Sequence, residues 1–287
     1  MDEKITIKVE EKVSKEDMNY LQKSFRAYNK KYVNTDVKSL KVFALDENNN
    51  VIGGVNGILV WGWLNIDKHW VDKRYRGKGL GKKLLFKIQN EALKKYITKA
   101  SLQTIVKDTV PFYKKLGYEI DGILEDRPHG NNCYFLKNEF IKKRPIIKSS
   151  KFHISTNKEK EDVYYKILYK KIEKDYEECL GDIPFKLVKV FARKDNKIIG
   201  GLSGYIGWNW FYISILWVDE SYRKMGLGKK ILKEAEKEAL DFGVDKAFLG
   251  TTEFQAKDFY QNNGYEIFCT RNNLPPGYKN FSMKKYL

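Results

Sequence analysis

The segment YRGKGLGKKLL, residues 75–85, decides how the rest of the chain is interpreted. Its three glycines (Gly77, Gly79 and Gly81) alternate with basic and apolar residues, and an amphipathic helical pattern continues to Tyr96. A glycine-rich turn between a strand and a helix brings free backbone N–H groups and the positive end of the helix dipole together. The segment therefore predicts a loop that binds a phosphate group.

Two common phosphate-binding patterns do not fit this loop. The G-x-x-x-x-G-K-[ST] spacing is absent, and no acidic residue follows on a second parallel strand, as a dinucleotide-binding fingerprint requires. A purely structural interpretation is that the glycines only let the strand turn into the helix. Both interpretations are open for the segment taken alone.

A near copy of the loop, YRKMGLGKKIL, occupies residues 222–232. The same offset of 147 positions, from Arg76 to Arg223, aligns all six tryptophans in pairs and several other segments. These segments are IGG at 52–54 and 199–201, WVD at 70–72 and 217–219, and FY…GYEI at 112–120 and 259–267. The repeat is a whole domain in length, so the chain is predicted to be a tandem duplication. The charged segment IKKRPIIKSS, residues 141–150, is interpreted as the linker, which gives domains 1–144 and 145–287.

Both repeats show the same order of predicted elements. A helix (21–32 and 164–180) precedes a hairpin, and a strand (63–71 and 210–218) then leads into the glycine loop. An amphipathic helix, another strand, a short helix and a final hairpin follow. This order predicts an α/β fold with a mixed sheet and helices on both sides, present twice.

Composition restricts the class of protein. The chain has 287 residues and a formal charge of +17, but its lysines are interspersed with acids, so a solvated surface explains the charge as well as a polyanionic partner does. No apolar run is long enough to span a membrane, no signal peptide is visible, and a cytoplasmic location is expected. Three scattered cysteines and three histidines, without metal-ligand spacing, predict neither a disulfide framework nor a metal site.

The order W-V-D, R-x-x-G-x-G, helix, strand, F-Y-x-x-x-G-Y closely resembles the GNAT superfamily of acetyl-CoA-dependent N-acetyltransferases, over nearly all of both repeats. By that resemblance the loop backbone holds the pyrophosphate of coenzyme A, and the edge of the preceding strand pairs with the pantetheine amides. The cofactor-binding residues that the resemblance implies are Trp70, Val71, Arg76, Gly77, Lys78, Gly79, Leu80, Gly81 and Lys82 in repeat 1, and Trp217, Val218, Arg223, Lys224, Met225, Gly226, Leu227, Gly228 and Lys229 in repeat 2.

Amine acetylation needs one proton removed from the attacking ammonium and one delivered to the leaving thiolate. In many members of the family a tyrosine before the G-Y pair is the acid, which implies Tyr113 and Tyr260; the structural alternative is an aromatic packing role. Asp67 and His69 are candidates for the base, on a strand face that also holds Asn65 if no bulge breaks the alternation. The alternative to a catalytic role is that Asp67 is a solvated surface acid and His69 a packed side chain. Water can also serve as the base.

The sequence thus predicts transfer of an acetyl group from acetyl-CoA to a primary amine of a small molecule or peptide. The two domains are expected to form an internal pseudo-dimer, as a monomer or a homodimer. The alternative is a non-catalytic module that binds acyl-CoA for regulation or scaffolding, in one or both domains. No aromatic and basic nucleic-acid motif is visible, which argues against a nucleic-acid partner despite the charge. The segment TTEFQA, residues 251–256, differs from its counterpart and is expected to form one wall of a second pocket.

Overall fold

The computed structural model describes residues 5–140, 142, 152–156 and 159–287. The strands are β1 (Thr6–Val9), β2 (Lys38–Leu45), β3 (Val51–Val60), β4 (Trp63–Val71), β5 (Lys99–Thr104), β6 (Glu119–Leu124), β7 (Cys133–Glu139), β8 (His153–Ser155), β9 (Lys186–Lys194), β10 (Lys197–Gly207), β11 (Trp210–Val218), β12 (Lys246–Thr252), β13 (Glu266–Asn272) and β14 (Lys279–Tyr286). The α-helices are α1 (Lys15–Lys30), α2 (Leu80–Leu93), α3 (Val110–Lys115), α4 (Glu161–Leu180), α5 (Leu227–Asp241) and α6 (Lys257–Gln261).

The predicted α/β class and the order of elements are confirmed, and the structure adds one short strand at the start of each repeat. These strands, β1 and β8, lie in the segments where the two repeats are least similar in sequence. The predicted linker, residues 141–150, lies outside the described residues apart from Lys142.

The described chain forms two compact units, which we call the N-unit and the C-unit. The N-unit comprises residues 36–123 and 133–182, and the C-unit comprises residues 1–35, 124–132 and 183–287. The N-unit sheet has the strand order β6-β7-β5-β4-β3-β2-β8, and the C-unit sheet has the order β1-β9-β10-β11-β12-β14-β13. The strand and helix that begin repeat 1, β1 and α1, therefore belong to the C-unit, whose central strands come from repeat 2. Likewise β8 and α4, which begin repeat 2, belong to the N-unit, whose central strands come from repeat 1. The border between residues 144 and 145 stays a prediction for the sequence repeat.

Each sheet is covered by a helix on either face. In the N-unit, α2 buries Leu80, Leu84 and Ile88 in the main core, whereas Leu168 of α4 packs with Phe43 on the opposite face. In the C-unit, α5 buries Ile231 and Leu232 in the main core, whereas Leu21 of α1 packs with Phe191, Ile198 and Trp217. Both helices that begin the repeats thus replace water on an apolar sheet face, which is the main source of their stability.

A β-bulge interrupts the strand that leads into each loop. The register between β3 and β4 shifts so that Asn56 pairs with Lys68 and Gly57 with Ile66, which leaves Asp67 without a partner on β3. The same shift between β10 and β11 leaves out Ser214. A bulge changes which face the following side chains point to. The alternation that would place Asn65, Asp67 and His69 on one face is therefore wrong.

Two of the tryptophans mark the turns before these strands. Trp61 and Trp208 have positive φ angles of 54° and 55° and lie in two-residue turns, outside the strands. Trp63 and Trp210, at the strand starts, are buried in their units. This second pair stabilises the sheet ends.

Candidate functional site

The glycine loop of each unit follows a strand whose far half has no parallel partner. The parallel pairing of β4 with β5 ends at Ile66 and Leu102, and that of β11 with β12 ends at Ile213 and Leu249. Beyond these points, the described pairing leaves the edges at Trp70–Val71 and Trp217–Val218 unpaired on the side of β5 and β12. Free amide and carbonyl groups at a strand edge can pair with an extended ligand that carries amides.

The two loops share one backbone conformation. Gly79 and Gly226 are the N-cap residues of α2 and α5, with φ of 78° and 77°, and neither helix has a side-chain cap. Two positions earlier, Gly77 (φ 72°) and Lys224 (φ 62°) are also left-handed. Residues that alternate in this way turn successive N–H groups toward one point, and the uncapped helix adds its own free N–H groups. The arrangement in both units is suited to binding an anion.

An arginine is fixed at the mouth of each loop. The Nε of Arg76 donates to the carbonyl of Val71 at 2.8 Å, and the Nε of Arg223 donates to that of Val218 at 3.0 Å. These bonds hold each guanidinium beside its loop, where the remaining N–H groups can donate to an anion.

In the N-unit, the candidate acid Tyr113 is hydrogen-bonded to the candidate base His69. The two ring nitrogens of His69 lie 3.0 Å (Nδ1) from the Tyr113 hydroxyl and 3.1 Å (Nε2) from the carbonyl oxygen of Gly81. Because a carbonyl only accepts, Nε2 carries the proton and donates it, and Nδ1 accepts the hydroxyl proton of Tyr113. Burial lowers the pKa of His69 to about 4 and raises that of Tyr113, so both groups are neutral near pH 7.

The equivalent tyrosine of the C-unit has different surroundings. Leu216 occupies the position that corresponds to His69, and its side chain packs against the main core of the C-unit. Within the residues that the structure describes, the Tyr260 hydroxyl has no hydrogen-bond partner. Burial raises the pKa of Tyr260, with a smaller contribution from Tyr212, so its proton is retained near pH 7.

Asp67 lies on the other face of the N-unit sheet from His69. Its carboxylate is 3.5 Å from the amide nitrogen of Asn56 and forms an ion pair with Lys68 at 2.8 Å. Burial raises the pKa of three tyrosines of α4, and the charge of Asp67 raises it further: Tyr165, Tyr169 and Tyr176. Asp67 and His69 therefore do not form one catalytic pair, and Asp67 faces a tyrosine-rich surface.

A further site residue, Asp175, escaped sequence reasoning. Its Oδ2 accepts hydrogen bonds from Arg76 at 2.6 Å and from the indole of Trp70 at 2.9 Å, so α4 contacts the loop directly. In the C-unit, the 147-residue offset places Tyr28 of α1 at this position, and the Arg223 guanidinium lies 4.8 Å from the centre of its ring. No local pattern in the sequence indicates the contact between Asp175 and Arg76, which are 99 residues apart.

Comparisons of the sequence with known proteins relate both repeats to acetyltransferases. The model of the acetyltransferase (GNAT) family matches residues 154–265, and that of the acetyltransferase (GNAT) domain matches residues 38–120. Over 92 residues the chain is 36% identical to blasticidin-S acetyltransferase of Streptomyces morookaense, an alignment that covers 32% of this chain and 68% of that enzyme. It is 29% identical over 115 residues to acetyltransferase Atu2258 of Agrobacterium fabrum, covering 40% and 84%. A solved acetyltransferase of Bacillus cereus is 28% identical with a TM-score of 0.44, covering 47% of this chain and 97% of that one.

The chain belongs to the GNAT acetyltransferase family, with one such domain in each repeat. It is an acyltransferase that uses acetyl-CoA and acts on amine acceptors. No described helix is both long and apolar enough to cross a membrane.

The residues present fit acetyl-CoA. A side-chain carbon built on Gly77, Gly79 or Gly226 would meet no other atom within 4 Å, so a ligand can reach the loop backbone directly. The uncapped helix start and Arg76 or Arg223 supply donors for a pyrophosphate, and the open strand edge supplies partners for amides. When bound, acetyl-CoA supplies the acetyl thioester.

The buried hydrogen-bonded His69 should make the stability of the N-unit depend on pH. Its pKa is about 4 in the folded protein, against 6.5 unfolded, so the unfolded chain binds a proton first as pH falls. The contribution is present above pH 6.5 and is lost as pH falls toward 4, by about 2 kcal/mol between pH 7 and pH 5. Denaturant unfolding at these two pH values measures it. His69→Leu should remove this part of the pH dependence, and His129→Gln, a change at an exposed histidine, should leave it in place.

Proposed function

We propose that the chain acetylates the primary amine of a small molecule or a peptide, with the loop of each unit holding acetyl-CoA and with Tyr113 and Tyr260 as acids. The observation that carries this proposal is the position of each tyrosine. Both are buried on the short helix beside the loop, packed against the tyrosine that follows the glycine (Tyr118 and Tyr265), and both keep their proton near pH 7. A buried neutral phenol is suited to give a proton to a leaving thiolate.

The loop residues orient the cofactor rather than take part in bond making. Their N–H groups and Arg76 or Arg223 bind the pyrophosphate, and the open edges at Val71 and Val218 fix the pantetheine arm. With the cofactor bound in this way, the residues near the bulge, where β4 and β11 separate from the neighbouring strand, would hold the thioester. Proximity alone accounts for a large share of the rate in such reactions.

The bulge also places Asp67 where the amine substrate of the N-unit is proposed to bind. The carboxylate of Asp67 attracts an ammonium group. Tyr165, Tyr169 and Tyr176, whose pKa its charge raises, offer hydroxyls and rings that favour a cation. Asp67 takes the ammonium proton directly or through water. In the C-unit the bulge residue is Ser214, so the amine there loses its proton to water.

The C-unit acceptor side is built from α1 and the TTEFQA segment. The hydroxyl of Tyr28 donates to the carbonyl of Phe254 at 2.9 Å, and the amide of Gln255 donates to Asn29 at 2.8 Å. The segment is thus tied to α1 and forms a polar wall beside Tyr260. This supports an acceptor that carries hydroxyl or amide groups near its amine.

Acceptor profiling tests the proposal. The purified protein is incubated with acetyl-CoA and one amine at a time: an aliphatic diamine, a peptide with a free N-terminus, and blasticidin S, which one relative is named for. Thiol release and the mass of the product are recorded. We expect acetylated product with at least one amine. Tight coenzyme A binding with no product from a broad amine panel would instead favour the non-catalytic acyl-CoA module.

A further inference from the structure

The two cofactor sites have the same backbone but different partners for the arginine and for the tyrosine. Asp175 and His69 contact these groups in the N-unit, and the offset places Tyr28 and Leu216 at the corresponding positions in the C-unit. Both differences act on a group that the proposed function requires.

The first difference concerns the arginine. Arg76 is bound edge-on by the carboxylate of Asp175 at 2.6 Å, and the indole of Trp70 holds the same carboxylate oxygen at 2.9 Å. The side chain of Asp175 is 22% exposed and its Oδ1 lies 3.8 Å from the Nζ of Lys73, so solvent and this lysine screen its charge only in part. A negative charge fixed there competes with a pyrophosphate for the guanidinium and repels it.

In the C-unit the arginine remains available. The central carbon of the Arg223 guanidinium lies 4.8 Å from the centre of the Tyr28 ring, and a contact with a ring uses up no carboxylate-binding N–H group. Among the described residues Arg223 has no ion pair, and Glu220, which precedes the loop, pairs with Lys31 at 3.1 Å. An incoming pyrophosphate therefore meets an unpaired cation.

The second difference concerns the tyrosine proton. The carbonyl of Gly81 fixes the proton of His69 on Nε2, so Nδ1 can only accept, and Tyr113 donates its proton to it. The hydroxyl then presents lone pairs, not a proton, to any other neighbour. His69 cannot supply a replacement, since Nδ1 carries none. Tyr113 must break this hydrogen bond before it can act as an acid, whereas Tyr260 has no such bond in the described chain.

We infer that the two sites are unequal. The C-unit binds acetyl-CoA more tightly, and the hydroxyl of its acid, Tyr260, is not held by a hydrogen bond in the described chain. In the N-unit, Asp175 and His69 are positioning residues that hold Arg76 and Tyr113 in a resting arrangement. In the N-unit, Asp175 competes with the cofactor for Arg76, and Tyr113 must break its hydrogen bond to His69 before it acts as an acid. The inference rests on the proposed roles of the loops and tyrosines.

Coenzyme A titrations of single-loop variants test the affinity. Gly226→Glu leaves only the N-unit loop intact, and Gly79→Glu leaves only the C-unit loop intact. We expect the C-unit site to bind coenzyme A at least about five-fold more tightly than the N-unit site. Asp175→Asn in the Gly226→Glu protein should recover about five-fold, because the amide keeps the shape without the charge. In the Gly79→Glu protein the same change should have no effect, whereas Tyr28→Asp should weaken binding. Equal affinities, or weaker binding after Asp175→Asn, would overturn the inference.

The imidazole of His69 is tested separately. The ¹⁵N NMR spectrum should show a protonated Nε2 and an accepting Nδ1, and Tyr113→Phe should shift the Nδ1 resonance. With saturating amine, His69→Leu in the Gly226→Glu protein should raise kcat about five-fold and leave the coenzyme A affinity unchanged. A protonated Nδ1, or a lower kcat in His69→Leu, would show that His69 does not restrain Tyr113. Binding and NMR do not depend on the acceptor, so they decide the inference even if no amine is acetylated.

Discussion

The double variant Gly79→Glu/Gly226→Glu is expected to bind no coenzyme A in the range where the wild-type protein is saturated. Each substitution places a side chain at a left-handed φ (78° and 77°) and a carboxylate at the uncapped start of a helix. Backbone strain of about 1–3 kcal/mol and repulsion of the pyrophosphate together predict an affinity loss of about 100-fold or more per site. Isothermal titration with coenzyme A measures it, and acetyl transfer should fall in parallel.

Gly243 offers a matched control for this prediction. It also has a positive φ (86°), has no other atom within 4 Å of a side-chain carbon built on it, and follows the opposite end of α5. Gly243→Glu therefore introduces the same strain and charge away from the loop. It should lower stability and leave coenzyme A binding unchanged. Normal binding by the double loop variant would contradict the assignment of both loops.

The double variant Tyr113→Phe/Tyr260→Phe should retain coenzyme A binding and lose most turnover. Phenylalanine keeps the ring packing and removes only the hydroxyl. Loss of a positioned general acid lowers kcat by about 10²–10⁴-fold. Steady-state kinetics with saturating acetyl-CoA and amine measure the change.

Tyr118→Phe is the control that separates an acid from a generic buried hydroxyl. The ring of Tyr118 lies 5.6 Å from that of Tyr113, and its hydroxyl accepts from the amide of Gln89 at 3.1 Å. This change should lower stability by about 1 kcal/mol and leave kcat within a factor of about two. A double variant that turns over like the wild type would show that both tyrosines serve only in packing.

Much of the fold followed from sequence because duplicated features were visible twice. The glycine loop, the helix after it and the strand before it have strong local patterns, and each copy supports the other. The left-handed conformation at Gly79 and Gly226 is what a glycine at a strand-to-helix turn predicts. The local sequence pattern of the loop and the fold around it favour the same conformation, which is why the loop could be predicted.

The contacts that distinguish the two sites were not predictable in the same way. Asp175 lies 99 residues from Arg76 in sequence, and no local pattern in α4 indicates that it contacts a loop. The allocation of α1 and α4 to units depends on tertiary packing, since both helices are amphipathic and either sheet offers an apolar face.

The bulge explains the remaining discrepancy. Strand alternation has a period of two, so one extra residue moves every later side chain to the other face. Asp67 and Ser214 are not glycines and carry no composition typical of a bulge. Sequence alone therefore grouped Asp67 with His69, which the register of β3 and β4 separates.

The most direct test of the central claim is the mass spectrum of an amine incubated with the protein and acetyl-CoA. We predict one acetyl group gained per amine, free thiol released in equal amount, and neither with Gly79→Glu/Gly226→Glu. Free thiol without acetylated amine, or acetylated amine formed equally by the double variant, would contradict the account of this chain as an amine acetyltransferase that works through these two loops.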